Sequence, residues 1–149
     1  MGETVGGAAS KDAPLLVVDA ANVVGSVPDG WWRDRRGAAE RLRDALPAVA
    51  AQGLAERSGA PPWACTGPLA VVLVVEGAAR GVAGVPGVTV VEAAGSGDDR
   101  IVALVESVLA TTADRPARRC LVVTADRGLR TRVTALGAEV VGPRAVRPR

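Results

Sequence analysis

Four short apolar runs rich in β-branched residues recur along the chain, at Leu15–Val18, Leu69–Val75, Val88–Val91 and Leu121–Val123, with a possible fifth at Glu139–Val141. Runs of this length without polar alternation suit strands covered on both faces, as in a parallel sheet. Between several of them apolar residues fall at helical spacing: Leu42, Leu46 and Val49, then Ile101, Leu104, Val105 and Val108, then Leu129, Val133 and Leu136. Strands alternating with amphipathic helices imply right-handed crossovers, so the expected fold class is α/β, three layers in α/β/α order around a mostly parallel central sheet. The 149 residues allow one such domain. Only 2% are aromatic against 48% apolar, so the core must be aliphatic.

Residues 1–14, polar and Gly-rich, read as a flexible N-terminal segment, 15–143 as the domain, and 144–149, with Arg144, Arg147 and Arg149, as a basic tail without regular structure. The helical region from about Asp34 to Arg57 contains Pro47, which is expected to kink it or to start a second helix. The stretch Ser58–Gly67, with Pro61, Pro62 and Trp63, reads as a loop. The start lacks the apolar core of a signal peptide and no apolar run approaches a membrane span, so a cytoplasmic chain with no membrane partner is expected. Cys65 and Cys120 have neither disulfide-framework density nor zinc-site spacing, and Cys120 reads as a small core residue. Histidine is absent, which excludes every mechanism using imidazole as base, nucleophile or ligand.

In an open parallel sheet, ligands bind beyond the carboxyl ends of the strands. The residues there are acidic: Asp19 ends the first run, Glu76 the second, Asp98 and Asp99 follow the third at a helix start, and Asp126 follows the fourth after Thr124. Carboxylates converging in a partly dry cleft repel one another unless a cation joins them. All-oxygen ligation without His or Cys favours Mg2+ or Mn2+, ions that activate water and stabilise charge developing on a phosphodiester. Each acid also has an ordinary reading. Asp19 can cap the turn containing Asn22, Ser96 with Asp99 fits a capping box, Asp126 fits a helix N-cap, and Glu76 beside Gly77 fits a surface turn.

The segments VVDAANVVGS (Val17–Ser26), VVLVVEGAA (Val71–Ala79), GSGDDRIVALV (Gly95–Val105) and VVTADRGLRTRV followed by GAEVVGP (Val122–Pro143) resemble, in order, the NYN branch of the PIN-like nuclease superfamily, and most closely its YacP-type bacterial members. The resemblance implies the PIN-like α/β/α fold, a Mg2+ or Mn2+ site and endoribonuclease activity on RNA. By matched position it implies Asp19, Asp98 and Asp126 as metal-binding carboxylates with Asp99 assisting, Asn22 orienting Asp19 or touching the scissile phosphate, and Thr124 shaping the pocket around Asp126. This chain departs from the pattern at Glu76, where an Asp is usual, and at Ala21, where an aromatic residue is often found.

Net charge is only +2, yet every basic residue but Lys11 is Arg, the side chain suited to bidentate phosphate contacts. A GC-rich genome gives the same bias. Arg33, Arg35 and Arg36 follow Trp31 and Trp32, a candidate RNA-binding lip whose other reading is a Trp pair over the sheet edge beside a solvated helix start. Arg100, Arg127 and Arg130 adjoin the acidic motifs and suit a scissile phosphate. A metal-dependent ribonuclease is the leading expectation. An RNA- or partner-binding module of the same fold without turnover is the alternative, and a nucleotide-binding regulatory domain ranks behind both, for want of a glycine-rich phosphate loop.

Overall fold

A computed structural model describes residues 13–110 and 118–147; residues 1–12 and 148–149, which belong to the expected flexible segment and tail, lie outside the described residues. Five strands form one sheet: β1 (Leu15–Asp19), β2 (Ala70–Val75), β3 (Val88–Glu92), β4 (Cys120–Val123) and β5 (Glu139–Val141), in spatial order β3-β2-β1-β4-β5. All four pairings are parallel, so the sheet is wholly rather than mostly parallel.

Helices cover both faces because β1 alternates between two apolar clusters. Leu16 and Val18 pack with Leu42, Leu46 and Ala50 of α2 (Arg35–Gln52), on the face shared with α1 (Ala20–Gly25). Leu15 and Val17 pack with Ile101 and Val105 of α3 (Gly97–Leu109) and with Leu129 and Val133 of α4 (Arg127–Ala135). The three-layer α/β/α architecture follows directly from this alternation. Cys120 is buried in the second cluster, where desolvation pushes its thiol up to about 12.

No second helix starts at Pro47: α2 is one helix of 18 residues that runs through it. Leu42, Leu46 and Ala50 bracket the proline on the buried face. Burying a leucine is worth about 1.5–3 kcal/mol, so two of them offset an interior proline's cost of about 3 kcal/mol. The helix stops at Gly53, whose φ of 86° suits glycine and lets Leu54 turn inward to donate to the Ala64 carbonyl. The segment after Pro143 is also more ordered than expected. Pro143–Ala145 forms a 3-10 turn, Val146 is buried, and Arg147 Nη1 donates to the Ser26 carbonyl. Among the described residues no helix is long and apolar enough to cross a membrane.

The core assignment is open to test. Leu73 of β2 is 0% exposed and packs on the α2 side. Leu73→Ala is expected to cost about 2–5 kcal/mol of unfolding free energy in urea titrations, the range for truncating a buried leucine without full collapse of the cavity.

Candidate active site

The chain lays down β1, β2 and β3 outward in one direction and then returns to place β4 on the other side of β1. The order therefore reverses between β1 and β4, and at such a switch point the two following loops diverge and leave a crevice at the strands' carboxyl ends. Asp19 closes β1 there, and Thr124 follows β4 beside it. Thr124 is fully buried; its hydroxyl donates to Asp19 Oδ2 at 2.9 Å and accepts from the Asp126 backbone N–H at 3.1 Å. Asn22 adds a second tie, its side-chain oxygen accepting from the Ala125 N–H at 2.8 Å while its own N–H donates to Asp19 Oδ1 at 3.4 Å. Asn22 thus fixes the loop after β4 as well as Asp19.

The capping readings of Asp19 and Asp126 are observed, as is the Ser96 half of the capping box. Asp19 caps α1, Asp126 caps α4 by accepting from the Leu129 N–H at 2.8 Å, and Ser96 caps α3 by accepting from the N–H groups of Asp98 and Asp99. Glu76 has a role that no local pattern signals. Its Oε2 accepts from the Gly97 N–H at 2.6 Å, joining the end of β2 to the first turn of α3. A Cβ at position 97 would lie 2.2 Å from that oxygen, so a larger residue there would push the Glu76 carboxylate aside. Arg132 is a further residue that the motifs do not mark. From α4 it pairs with Asp99 of α3 at 3.1 Å, with both side chains well exposed.

Asp19 is 5% exposed. Its pKa is raised from 3.8 to about 6, chiefly by desolvation; the bonds from Thr124 and Asn22 hold it down, and the charges of Asp98 and Glu76 push it up. Asp98 is raised too, first by desolvation, then by Asp126 and Glu76, with Arg132 opposing. Asp19, Asp98, Asp126 and Glu76, which end or follow β1, β2 and β4 or open α3, are thus near enough to feel one another's charge. Among the described residues no three of them gather tightly enough to enclose an ion. The donor set nevertheless fits a hard divalent cation in charge and in chemistry: mutually repelling carboxylates with oxygen ligands only.

Arg130 Nε donates to the Thr124 carbonyl at 3.1 Å, which holds this arginine at the site; Arg127 and Arg100 lie on the first turns of α4 and α3. Trp31 and Trp32 form a 3-10 turn with Arg33 and meet edge to face, their ring centroids 6.0 Å apart. Arg33 lies over Trp32 and Arg35 over Trp31, while Arg36 makes an exposed pair with Glu40. Trp31 and Arg35 line a recess together with Ala20, Ala21 and Glu76, so this lip stands on the acidic side of the molecule.

An acid whose pKa is higher folded than unfolded binds its proton more tightly in the native state. Asp19's contribution to stability is therefore fully present below pH 3.8 and is lost as pH rises through about 6. The loss is about 3 kcal/mol at neutral pH. Asp19→Asn is expected to be more stable than the parent at pH 7, with the difference shrinking toward pH 4, in denaturant titrations at the two pH values. A difference independent of pH would contradict the burial argument.

No family model matches the chain, and no curated protein does. Among solved structures, the crystal structure of a point variant of Rae1 (YacP) from Bacillus subtilis is similar: 19% identity, a TM-score of 0.60, and coverage of 89% of this chain and 72% of that one. At that identity the likeness establishes architecture, and it agrees with the wholly parallel sheet and the two helical layers described above. The chain has a fold like that of YacP.

Proposed function

We propose that the chain is a metal-dependent endoribonuclease that hydrolyses RNA phosphodiester bonds at the β1/β4 end of the sheet. The observation that carries this reading is the buried Asp19 carboxylate, held by Thr124 at the switch point and pushed up to about 6 by burial and by nearby acids. A carboxylate so placed costs stability, and function at the site accounts for the cost. The YacP-like fold supports an RNA-related nuclease role in general terms.

In this reading Asp19, Asp98 and Asp126 hold Mg2+ or Mn2+, with Asp99 assisting. When bound, the ion supplies an activated water and charge stabilisation at the phosphate. Thr124 and Asn22 are positioning residues: together they set the spacing between Asp19 and the start of α4. Glu76 keeps the first turn of α3, and so Asp98, beside Asp19. An acidic cleft repels a polyanion, and Arg100, Arg127 and Arg130 supply the positive charge that draws the phosphate in. Arg33, Arg35 and Arg36, with the two tryptophans, hold flanking nucleotides.

A second reading, an RNA-binding module without turnover, draws on one observation: no three acids among the described residues are drawn together around a point. Cleavage assays decide between the two. Asp19→Asn and Asp126→Asn are each expected to reduce Mn2+-dependent cleavage of mixed single-stranded and structured RNA to background while circular dichroism is unchanged. Cleavage that persists in both variants removes the ribonuclease reading. RNA binding by the parent chain with no turnover on any substrate establishes the binding module instead.

Thr124→Val, which removes the hydroxyl that serves Asp19 and the Asp126 N–H, is expected to lower cleavage about 10–100-fold, the usual cost of losing a residue that orients a metal ligand. Mn2+ is also expected to raise the melting temperature of the parent chain at pH 7 and to leave that of Asp19→Asn unchanged, because an ion bound only by the native site stabilises it by mass action. An equal shift in both proteins would place the ion elsewhere.

A further inference from the structure

We infer that the recess bounded by Trp31, Arg35 and Glu76 is a subsite for one unstacked guanine base, next to the phosphate that the acids engage. The inference rests on the ribonuclease reading for its location and adds a base preference to it. Ala20 and Ala21, which directly follow Asp19, form part of the recess wall, so anything seated there borders the acidic site. The recess is small, about 80 Å³, and open to solvent, so it receives part of a base rather than enclosing it. Ala39, Ala79 and Val24 line it with Trp31, so most of its walls are apolar. A planar base gains from such walls through stacking and burial.

Among the described residues that line the recess, Arg35 and Glu76 are the charged ones. Each is already held in place. The Arg35 guanidinium carbon lies 5.2 Å from the centre of the Trp31 ring, and Glu76 Oε2 is fixed by the Gly97 N–H at 2.6 Å. A carboxylate has about four lone-pair sites, so that bond leaves Glu76 with acceptor capacity. Guanine is the base that matches one guanidinium and one carboxylate. Its O6 and N7 suit a bidentate arginine, and its adjacent N1–H and N2–H groups suit a carboxylate. Adenine and cytosine offer one exocyclic amine for Glu76, and uracil offers a single imide N–H.

The test uses the parent chain in EDTA-containing buffer, where cleavage does not intervene, with single-stranded uridine hexamers carrying one guanine, inosine, 7-deazaguanine or adenine, and affinity read by calorimetry. The guanine hexamer is expected to bind about tenfold or more tighter than the adenine one. Inosine, which lacks the N2 amine, and 7-deazaguanine, which lacks N7, are each expected to weaken binding several-fold. Glu76→Gln, which keeps an oxygen for Gly97, is expected to erase the difference between guanine and inosine. Arg35→Gln is expected to erase the difference between guanine and 7-deazaguanine. Equal binding of all four hexamers by the parent chain, or differences that survive in the matching variants, overturns the proposal. Cleavage in Mn2+ is scored separately: guanine preference without cleavage keeps the subsite and removes the nuclease, and cleavage without preference does the reverse.

Discussion

The hydrogen bond from the Thr124 hydroxyl to Asp19 joins the ends of the two central strands where chain order in the sheet reverses. A buried polar group left short of a partner costs about 1–3 kcal/mol, and a charged carboxylate costs more. Thr124 removes that cost from one oxygen and the Asn22 backbone N–H reduces it on the other, yet desolvation still dominates the Asp19 environment. The arrangement is a compromise: enough donors to hold the side chain in one place, too few to make its charge comfortable. That residual discomfort is what a cation at the site would relieve.

Strand direction explains why the other acids are nearby. In a wholly parallel sheet every carboxyl end lies on the same edge, and adjacent strands are about 4.8 Å apart. An acid placed just after each apolar run is therefore delivered to one side of the molecule, whatever its distance in sequence. Asp19 ends a strand flanked on both sides and is buried, whereas Asp99 and Asp126 begin or cap helices and are exposed. Two helical layers are needed for this to persist, because a parallel sheet is stable only with both faces covered.

What was legible in the sequence follows from period and position. The β1 run alternates its side chains between the two clusters, so strand and layer were readable from apolar residues alone. The acids were readable because strand ends are predictable. That α2 runs on past Pro47 was not readable, because a local propensity competes with packing that only the folded sheet supplies. The contacts that tie the site together were not readable at all. Glu76 with Gly97 and Asp99 with Arg132 join residues far apart in the chain, through distances that no spacing rule encodes. The recess beside Trp31 is of the same kind, since its walls come from α1, α2 and the turn after β2.

The acids' ordinary and chemical roles, which compete as readings of the sequence, do not compete in the folded chain. Asp126 uses one oxygen to cap α4, and Glu76 uses one to hold the first turn of α3. Asp19 divides its two oxygens between the start of α1 and Thr124. Because a carboxylate can accept about four bonds, each of these leaves acceptor capacity on the side chain. Capping also does something a free surface acid could not: it fixes the carboxylate relative to a helix that packs on the core through Val23 in α1 and through Leu129 and Val133 in α4. A sequence rule that treats a capping signal as evidence against chemistry therefore discards the feature that positions the acid. For Asp19, Asp126 and Glu76, the bond that looks merely structural fixes the side chain and still leaves it lone pairs to use.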